Sequence, residues 1–290
     1  MTEKAVQRVL VLGAAGMLGH TMLRYLATVP DVTVAGTIRV ERLPQGFPSA
    51  LADRVVTGIE ATDDDALPRV IAAFRPDLLI NCIGLIKQRP DGQDPEQTIM
   101  VNALLPHRLA RLAADGGARL VHLSTDCVFS GATGGYTEDS VPDARDFYGR
   151  SKLLGEVTEG GALTLRTSII GPELGTALGL VGWFLGQTGR VPGYRHAIFS
   201  GLPTIELARV IHRHVLPARD LRGLFHVSAA PISKFDLLAL VAAAYGRTVE
   251  LVPDDSVRID RSLDSHRFRT ATGYVPPDWA TLVGEMKAFG

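Results

Sequence analysis

Three evenly spaced glycines near the start of the chain constrain its fold more than any other feature. The apolar run at residues 9–12 stops at Gly13, and Gly16 and Gly19 follow at intervals of three. Apolar residues then recur at helical spacing as far as residue 26. This order predicts a strand, a tight turn and a helix, in which Gly13 permits the turn, Gly16 lets amides approach a pyrophosphate and Gly19 lets the helix pack closely. A dinucleotide site is therefore expected here.

The same alternation of strands and helices continues through the first half of the chain. Short runs that are apolar throughout, separated by amphipathic segments, are typical of a parallel sheet buried on both faces. The sequence therefore predicts an α/β fold of the Rossmann type, a doubly wound parallel sheet. The predicted strands are 9–12, 32–37, 77–83, 119–123 and 162–166. The predicted helices are 63–74, 97–114, 148–159, 204–215 and 233–245.

The alternation of predicted strands and helices changes after residue 166, and residues 171–201 are rich in Gly and Pro. We therefore expect an NAD(P)-binding domain at residues 1–166 and a smaller α/β substrate-binding domain at 167–290, with segments that can interleave. A length of 290 residues is enough for one large domain or two closely joined ones.

The overall charge and the cysteine count exclude several classes of protein. A formal net charge of -1 disfavours nucleic acid or an anionic membrane as the main partner, which leaves a small molecule. No run is long and apolar enough to predict a membrane span. Two cysteines, Cys82 and Cys127, cannot form a disulfide framework, so we expect a reducing, cytoplasmic location.

The end of the second predicted strand bears on the choice of dinucleotide. The acidic residue that usually holds the ribose 2′-hydroxyl of NAD is not evident there, and Arg39 follows with Arg42 close behind. A guanidinium suits a 2′-phosphate. The sequence therefore favours NADPH; the alternatives are NADH and an ordinary solvated arginine at residue 39.

Tyr148 and Lys152 lie four residues apart in a predicted helix, and hence on one helix face. A nearby ammonium, joined by an oxidised nicotinamide, is expected to lower the pKa of a phenol and so make it a usable acid and base. The predicted strand at residues 119–123 runs directly into Ser124, Thr125 and Asp126. Ligands of such sheets bind beyond the carboxyl ends of the strands, so these side chains are expected at the mouth of the site.

These three motifs together resemble the extended short-chain dehydrogenase/reductases. They are Gly13-x-x-Gly16-x-x-Gly19, the segment Ser124-Thr125-Asp126-Cys127-Val128-Phe129-Ser130-Gly131, and Tyr148-x-x-x-Lys152. Within that superfamily the second segment is most similar to the dTDP-4-dehydrorhamnose reductase group of sugar-nucleotide reductases. The resemblance covers nearly the whole chain. It implies NADPH-dependent reduction of the C4 ketone of a nucleotide-activated 4-keto-6-deoxy sugar. The reaction would serve deoxysugar or polysaccharide biosynthesis, and a homodimer is compatible with the resemblance.

The resemblance also implies roles for particular residues. Thr125 would occupy the catalytic hydroxyl position, Tyr148 the acid and Lys152 its electrostatic partner. Asp126, Lys87 and Arg166 would contact the substrate. The residues implied in cofactor binding are Gly13, Gly16, Met17, Leu18, Gly19, Arg39, Glu60, Ala61, Ile83, Gly84, Leu85, Tyr148 and Lys152.

Two other functions use the same set of residues. One is a sugar-nucleotide epimerase or dehydratase that retains NAD, and the other is a non-catalytic, nucleotide-binding regulatory subunit. The eight histidines show no metal-ligand spacing, so no metal site is expected.

Overall fold

The computed structural model describes residues 6–87 and 90–290. Its strands are β1 (Gln7–Leu12), β2 (Val32–Thr37), β3 (Val55–Val56), β4 (Leu78–Asn81), β5 (Arg119–Thr125), β6 (Leu163–Thr167), β7 (Ile169–Ile170), β8 (Arg190–Phe199), β9 (Leu202–Pro203), β10 (Gly223–His226), β11 (Ile232–Ser233) and β12 (Glu250–Asp260). Its α-helices are α1 (Met17–Leu26), α2 (Ala66–Phe74), α3 (Pro95–Thr98), α4 (Leu105–Asp115), α5 (Phe147–Leu154), α6 (Leu180–Leu185), α7 (Thr204–Val210), α8 (Lys234–Tyr245), α9 (His266–Thr272) and α10 (Trp279–Phe289).

Seven strands form one parallel sheet in the order β10-β6-β5-β4-β1-β2-β3. The order reverses between β1 and β4, which is the switch point where such sheets bind ligands. Alternate residues of β1 enter two different cores: Val9 and Val11 pack on one face, Leu10 and Leu12 on the other. The predicted doubly wound sheet, buried on both faces, is confirmed.

The end of α5 differs from the sequence prediction, which extended this helix to residue 159. The helix ends at Leu154 because Gly155 packs on the backbone of Asn102, where a Cβ would lie 2.0 Å from the Asn102 carbonyl oxygen. The chain then turns toward the sheet. The helix predicted at 97–114 is continuous from Pro95 to Asp115, but residues Ile99–Leu104 are π-helical.

The later part of the chain contains a small sheet that the sequence analysis did not find. Its order is β11-β8-β12, with β8 and β12 parallel. Pro192 and Gly193 interrupt the apolar alternation of β8, and β12 is rich in charged residues, so neither strand has the usual sequence pattern. By contrast, the predicted start of α8 is correct, because the Ser233 hydroxyl accepts a hydrogen bond from the Asp236 amide at 3.0 Å.

The two segments of the chain share structure. β10 lies beyond residue 166 yet pairs with β6 at the edge of the large sheet, and α7 packs against α1. One hydrophobic cluster includes Leu23 of α1 together with Leu207 of α7 and Leu238 of α8. The division after residue 166 therefore stays a proposal, with interleaved segments. No helix in residues 6–87 and 90–290 combines the length and apolar character that a membrane span needs.

Candidate active site

Two adjoining cavities lie at the carboxyl edge of the large sheet, over the switch point. Their volumes are about 370 and 200 Å³. Gly16, Cys82, Ile83 and Gly84 line both, so the two form one elongated cleft. A cleft of this length, crossing the switch point, suits a dinucleotide.

The glycine turn has the geometry expected from its spacing. Gly13 adopts a φ of 80°, which is unfavourable for residues with a side chain. At Gly19 a Cβ would lie 2.1 Å from the Gly13 carbonyl oxygen, so only glycine lets α1 pack this closely on the turn. No side chain caps the N-terminus of α1, and Met17 and Leu18 of its first turn line the larger cavity. Its first-turn amides and the positive end of its dipole are thus suited to a phosphate group.

The smaller cavity brings together the residues expected around the adenosine end of a dinucleotide. Gly13, Arg39, Glu60, Ala61 and Leu85 all line it. Arg39 lies two residues beyond the end of β2, next to the opening. The residues present here, Arg39 among them, fit the adenosine half of NADP.

The segment between the cavities, residues 83–85, is held by a buried amide. The Asn102 side chain accepts a hydrogen bond from the Leu85 amide and donates one to the Leu85 carbonyl, both at 2.9 Å. It also donates to the Ser151 hydroxyl at 3.2 Å. The Asn102 side chain, carried by the π-helical turn, therefore connects the cavity lining at Leu85 to α5, the helix that carries Lys152. The sequence analysis did not assign this role.

Thr125, Tyr148 and Lys152 all line the larger cavity. Thr125 ends β5, and the other two lie one turn apart on α5. The helix approaches the strand end closely at Gly149, where a Cβ would lie 2.2 Å from the Cys127 carbonyl oxygen. The glycine after Tyr148 is therefore what allows the phenol to lie beside Thr125.

Lys152 alone does not lower the pKa of Tyr148. Burial raises this pKa, the neighbouring Cys127 raises it further, and a hydrogen bond with Thr125 opposes both. The Lys152 ammonium, at 5% residue exposure, donates instead to the Leu123 carbonyl oxygen at 2.8 Å. Desolvation thus outweighs the effect of a nearby cation, and the phenol of Tyr148 stays protonated at neutral pH.

The pKa of Lys152 is also displaced. Burial lowers it to about 8, and the carboxylate of Glu156 is the largest influence acting against that change. The thiol of Cys82 adds little charge near neutral pH, because burial raises its pKa to about 12. Near physiological pH, the fraction of Lys152 that is charged therefore depends on the groups around it.

The expected substrate side of the cavity contains Asp126 and Lys87. Burial raises the pKa of Asp126, and the charges of Arg261 and Lys234 act against this shift. Arg261 donates to the Phe129 carbonyl oxygen at 2.8 Å, and its guanidinium lies 3.8 Å from the Cys127 sulfur. These two cations were not among the sequence-predicted site residues.

Arg166, the third residue expected at the substrate, does not line either cavity. It is 3% exposed and forms a two-point ion pair with Glu156, with Nε–Oε1 and Nη2–Oε2 distances of 2.7 Å. Its Nη1 lies 3.3 Å from Nε2 of His226. This corrects the expectation, because Arg166 lies outside the cavity lining and its donors are used by Glu156 and His226.

Within residues 6–87 and 90–290, no group of three or more His, Cys, Asp or Glu side chains is arranged to hold a metal ion. The expectation that the protein has no metal site stays a prediction.

Comparison with known proteins identifies the family. Residues 7–177, more than half of the chain, match the RmlD substrate binding domain family. The chain belongs to this family. Among solved structures, the RmlD-type fold is shared with dTDP-4-dehydrorhamnose reductase from Bacillus anthracis in complex with NADP. That match has a TM-score of 0.80 and 22% identity, and covers 97% of this chain and 99% of that one. A hypothetical dTDP-4-dehydrorhamnose reductase from Sulfolobus tokodaii matches with a TM-score of 0.73 and 26% identity over 94% and 98% of the two chains.

Curated relatives of this RmlD-type chain include proteins of two kinds. Methionine adenosyltransferase 2 subunit beta of Danio rerio is 30% identical over 82% of this chain and 74% of its own length. The same subunit of Xenopus laevis is 35% identical over 37% of this chain, and the match spans only 34% of the frog protein. The dTDP-4-dehydrorhamnose reductase of Mycolicibacterium smegmatis is 33% identical over 52% of this chain and 40% of its own length.

Proposed function

We propose that the protein reduces the C4 ketone of a nucleotide-linked 4-keto-6-deoxy sugar with NADPH. The observation that carries this proposal is that Thr125, Tyr148 and Lys152 line the larger cavity, which forms with the smaller one a single cleft that suits a dinucleotide. The mycobacterial reductase and the fold shared with dTDP-4-dehydrorhamnose reductases support the same substrate class.

The preference for NADPH rests on Arg39. A guanidinium at the rim of the adenosine cavity favours a ribose 2′-phosphate, and the B. anthracis neighbour is a complex with NADP. The Bordetella bronchiseptica enzyme WbmG, with a TM-score of 0.78 and 20% identity, was solved with NAD. NADH is therefore the alternative cofactor.

When bound, NADPH would be held by residues that include Gly13, Gly16 and Arg39 and would supply a hydride to the carbonyl carbon. The Thr125 hydroxyl hydrogen-bonds the carbonyl oxygen and orients the ketone. As negative charge develops on that oxygen, the Tyr148 phenol donates its proton and the ketone becomes an alcohol. The raised pKa of Tyr148 keeps this proton in place before the reaction. The Lys152 ammonium stabilises the phenolate that is left, which then recovers a proton from solvent.

The charged end of the substrate is proposed to lie near Asp126. Lys234 and Arg261 act electrostatically on Asp126, and Lys87 lines the same cavity as Asp126 and acts on Lys234. The combined charge of the three cations suits a diphosphate, while the Asp126 carboxylate can accept hydrogen bonds from sugar hydroxyls. A second WbmG structure, with a TM-score of 0.78 and 20% identity, contains UDP as well as NAD.

The test is NADPH oxidation by the purified protein with a panel of dTDP-, UDP-, GDP- and CDP-linked 4-keto sugars. Stoichiometric consumption of NADPH with one of them is expected. Tyr148→Phe should lower kcat by about 10²- to 10⁴-fold with NADPH binding retained, whereas Tyr194→Phe on β8 should have no effect. Turnover unchanged by Tyr148→Phe would contradict the mechanism.

Two other functions have specific support. The methionine adenosyltransferase 2 subunit beta relatives favour a regulatory subunit, and the NAD-containing neighbours, among them dTDP-glucose 4,6-dehydratase of B. anthracis at a TM-score of 0.78 and 15% identity, favour a transient oxidation with retained NAD. A purified protein that carries bound NAD and consumes no NADPH would support the second. A protein that binds NADPH, turns over no keto sugar and copurifies stoichiometrically with a partner enzyme would support the first.

A further inference from the structure

A buried carboxylate lies directly behind the reactive side of the cavity. Glu156 follows α5, four residues after Lys152, and its side chain is 7% exposed. Its Oε1 accepts hydrogen bonds from the Ser124 hydroxyl at 2.6 Å and from Arg166 Nε at 2.7 Å, and its Oε2 accepts from Arg166 Nη2 at 2.7 Å. Both oxygens are therefore held in fixed positions.

The partners of Glu156 belong to the sheet that carries the site. Ser124 and Arg166 are paired residues of β5 and β6, and His226 pairs with Arg166 on β10, so the three form a row across the strands. Ser124 lies between Leu123, whose carbonyl oxygen accepts the hydrogen bond from Lys152, and Thr125. Glu156 thus holds the end of β5, which carries Thr125 and provides the carbonyl oxygen that accepts the hydrogen bond from Lys152.

Glu156 also provides the negative charge that acts most strongly to raise the pKa of Lys152. The groups that act electrostatically on Lys152 come from two elements: Glu156 after α5 and Cys82 after β4. The thiol is neutral near pH 7, because burial raises the pKa of Cys82 to about 12. His122 of β5 faces Lys152 as well, but its buried ring has a pKa well below 6.5 and is uncharged. Tyr148, on the same helix face, is a neutral phenol.

We propose that Glu156 is a positioning residue for this reaction, fixed by Ser124 and Arg166 so that the Lys152 ammonium stays charged beside the cavity. The inference rests on the proposed reductase function and adds to it a residue outside the Thr, Tyr and Lys set. Glu156 touches neither cavity, so it acts through Lys152 and the end of β5.

The test compares Glu156→Gln with the wild type in the pH dependence of kcat. Loss of the Lys152 charge on raising the pH gives the basic limb of the profile. Glu156→Gln removes the carboxylate that favours the charged form, so this limb should move to lower pH by about one unit. A role confined to packing would lower kcat equally at every pH and leave the limb in place. Glu159→Gln, three residues later and exposed, is the matched control and should leave the profile unchanged.

Glu156→Gln leaves the buried Arg166 without its counter-ion and can prevent folding. The double variant Glu156→Gln, Arg166→Gln removes both charges, and its basic limb should be displaced in the same direction. Arg166→Gln alone retains the carboxylate and should show no shift to lower pH.

A second measurement needs no turnover, which separates it from the test of the proposed function. The chain has five lysines, so NMR of lysine side chains labelled with ¹³C at the ε position can follow Lys152, assigned through Lys152→Met. Its titration midpoint should fall in the single or the double variant. An unchanged midpoint in both, with the fold intact, would overturn the inference even if the wild type reduces a keto sugar.

Discussion

The α-carbon of Gly19 faces the carbonyl oxygen of Gly13 so closely that a methyl group at residue 19 would lie 2.1 Å from that oxygen. Backbone at a tight turn has little freedom to move away. Gly19→Ala should therefore cost about 2 kcal/mol in the free energy of unfolding and weaken NADPH binding at least tenfold. Urea unfolding and fluorescence titration with NADPH measure the two effects. Gly284→Ala in α10, where the new methyl group meets open space, is the control and should be neutral or slightly stabilising.

Arg39 should determine which dinucleotide is used. Arg39→Ala removes the guanidinium at the rim of the smaller cavity, so the Kd for NADPH should rise about 10- to 100-fold while the Kd for NADH changes little. Calorimetric titration with both cofactors checks this. Arg42→Ala removes a nearby exposed arginine that does not line the cavity and should leave both affinities unchanged. Equal losses for NADPH and NADH in Arg39→Ala would contradict the 2′-phosphate assignment.

Lys234, in the first turn of α8, should contribute to binding of the substrate diphosphate. Lys234→Met keeps the length of the side chain and removes the charge that acts on Asp126. We expect KM for the sugar nucleotide to rise about tenfold or more with kcat little changed, because a binding contact is lost and the reacting group is not. Steady-state kinetics at saturating NADPH measure this. Lys287→Met near the C-terminus is the matched control, and an equal KM for the two variants would refute the assignment.

Acid should destabilise the fold through His226. Burial, and then the charge of Arg166, lowers the pKa of His226 to about 4; its Nδ1 donates to the Tyr136 carbonyl oxygen at 3.0 Å and its Nε2 faces Arg166. The unfolded chain has an ordinary histidine pKa of about 6.5, so it binds the proton first as the pH falls. The neutral ring makes its full contribution to the free energy of unfolding above pH 6.5. As the pH falls from about 6.5 to 4, that contribution of roughly 3 kcal/mol is lost.

The measurement is the free energy of urea unfolding as a function of pH in the wild type and in His226→Gln. The variant should lose less stability across that window than the wild type does. His196→Gln changes a half-exposed histidine on β8 and should retain the slope of the wild type. Parallel curves for wild type and His226→Gln would show that this ring does not carry the effect.

Much of the nucleotide-binding half could be predicted from sequence because its chemistry is local. The turn at Gly13, the strand end at Thr125 and the helical pair of Tyr148 and Lys152 each occupy a few consecutive residues. Their position at one cavity then follows from the rule that parallel strands present their carboxyl ends at one edge. The bounds of β2 were predicted to the residue, since its apolar run has clear limits.

The remaining features depend on contacts between distant residues. The ion pair of Arg166 and Glu156 joins a strand to a helix end, and no spacing in the sequence distinguishes it from an arginine that faces a ligand. Lys234 and Arg261 act electrostatically on Asp126 although both lie more than 100 residues later in the sequence. The spacing of Tyr148 and Lys152 does not indicate burial, which raises the pKa of Tyr148 and is a property of the assembled site.

The pairing of β10 with β6 has a consequence for how the chain is made. The strand that completes the large sheet consists of residues 223–226, about 60 residues after the strand it pairs with. During synthesis, the glycine turn and the first six strands leave the ribosome while the outer edge of β6 still has unpaired amide and carbonyl groups. Such an edge can pair with another chain. It follows that the nascent protein has an unpaired sheet edge, open to misassembly, in the interval between the emergence of β6 and that of β10.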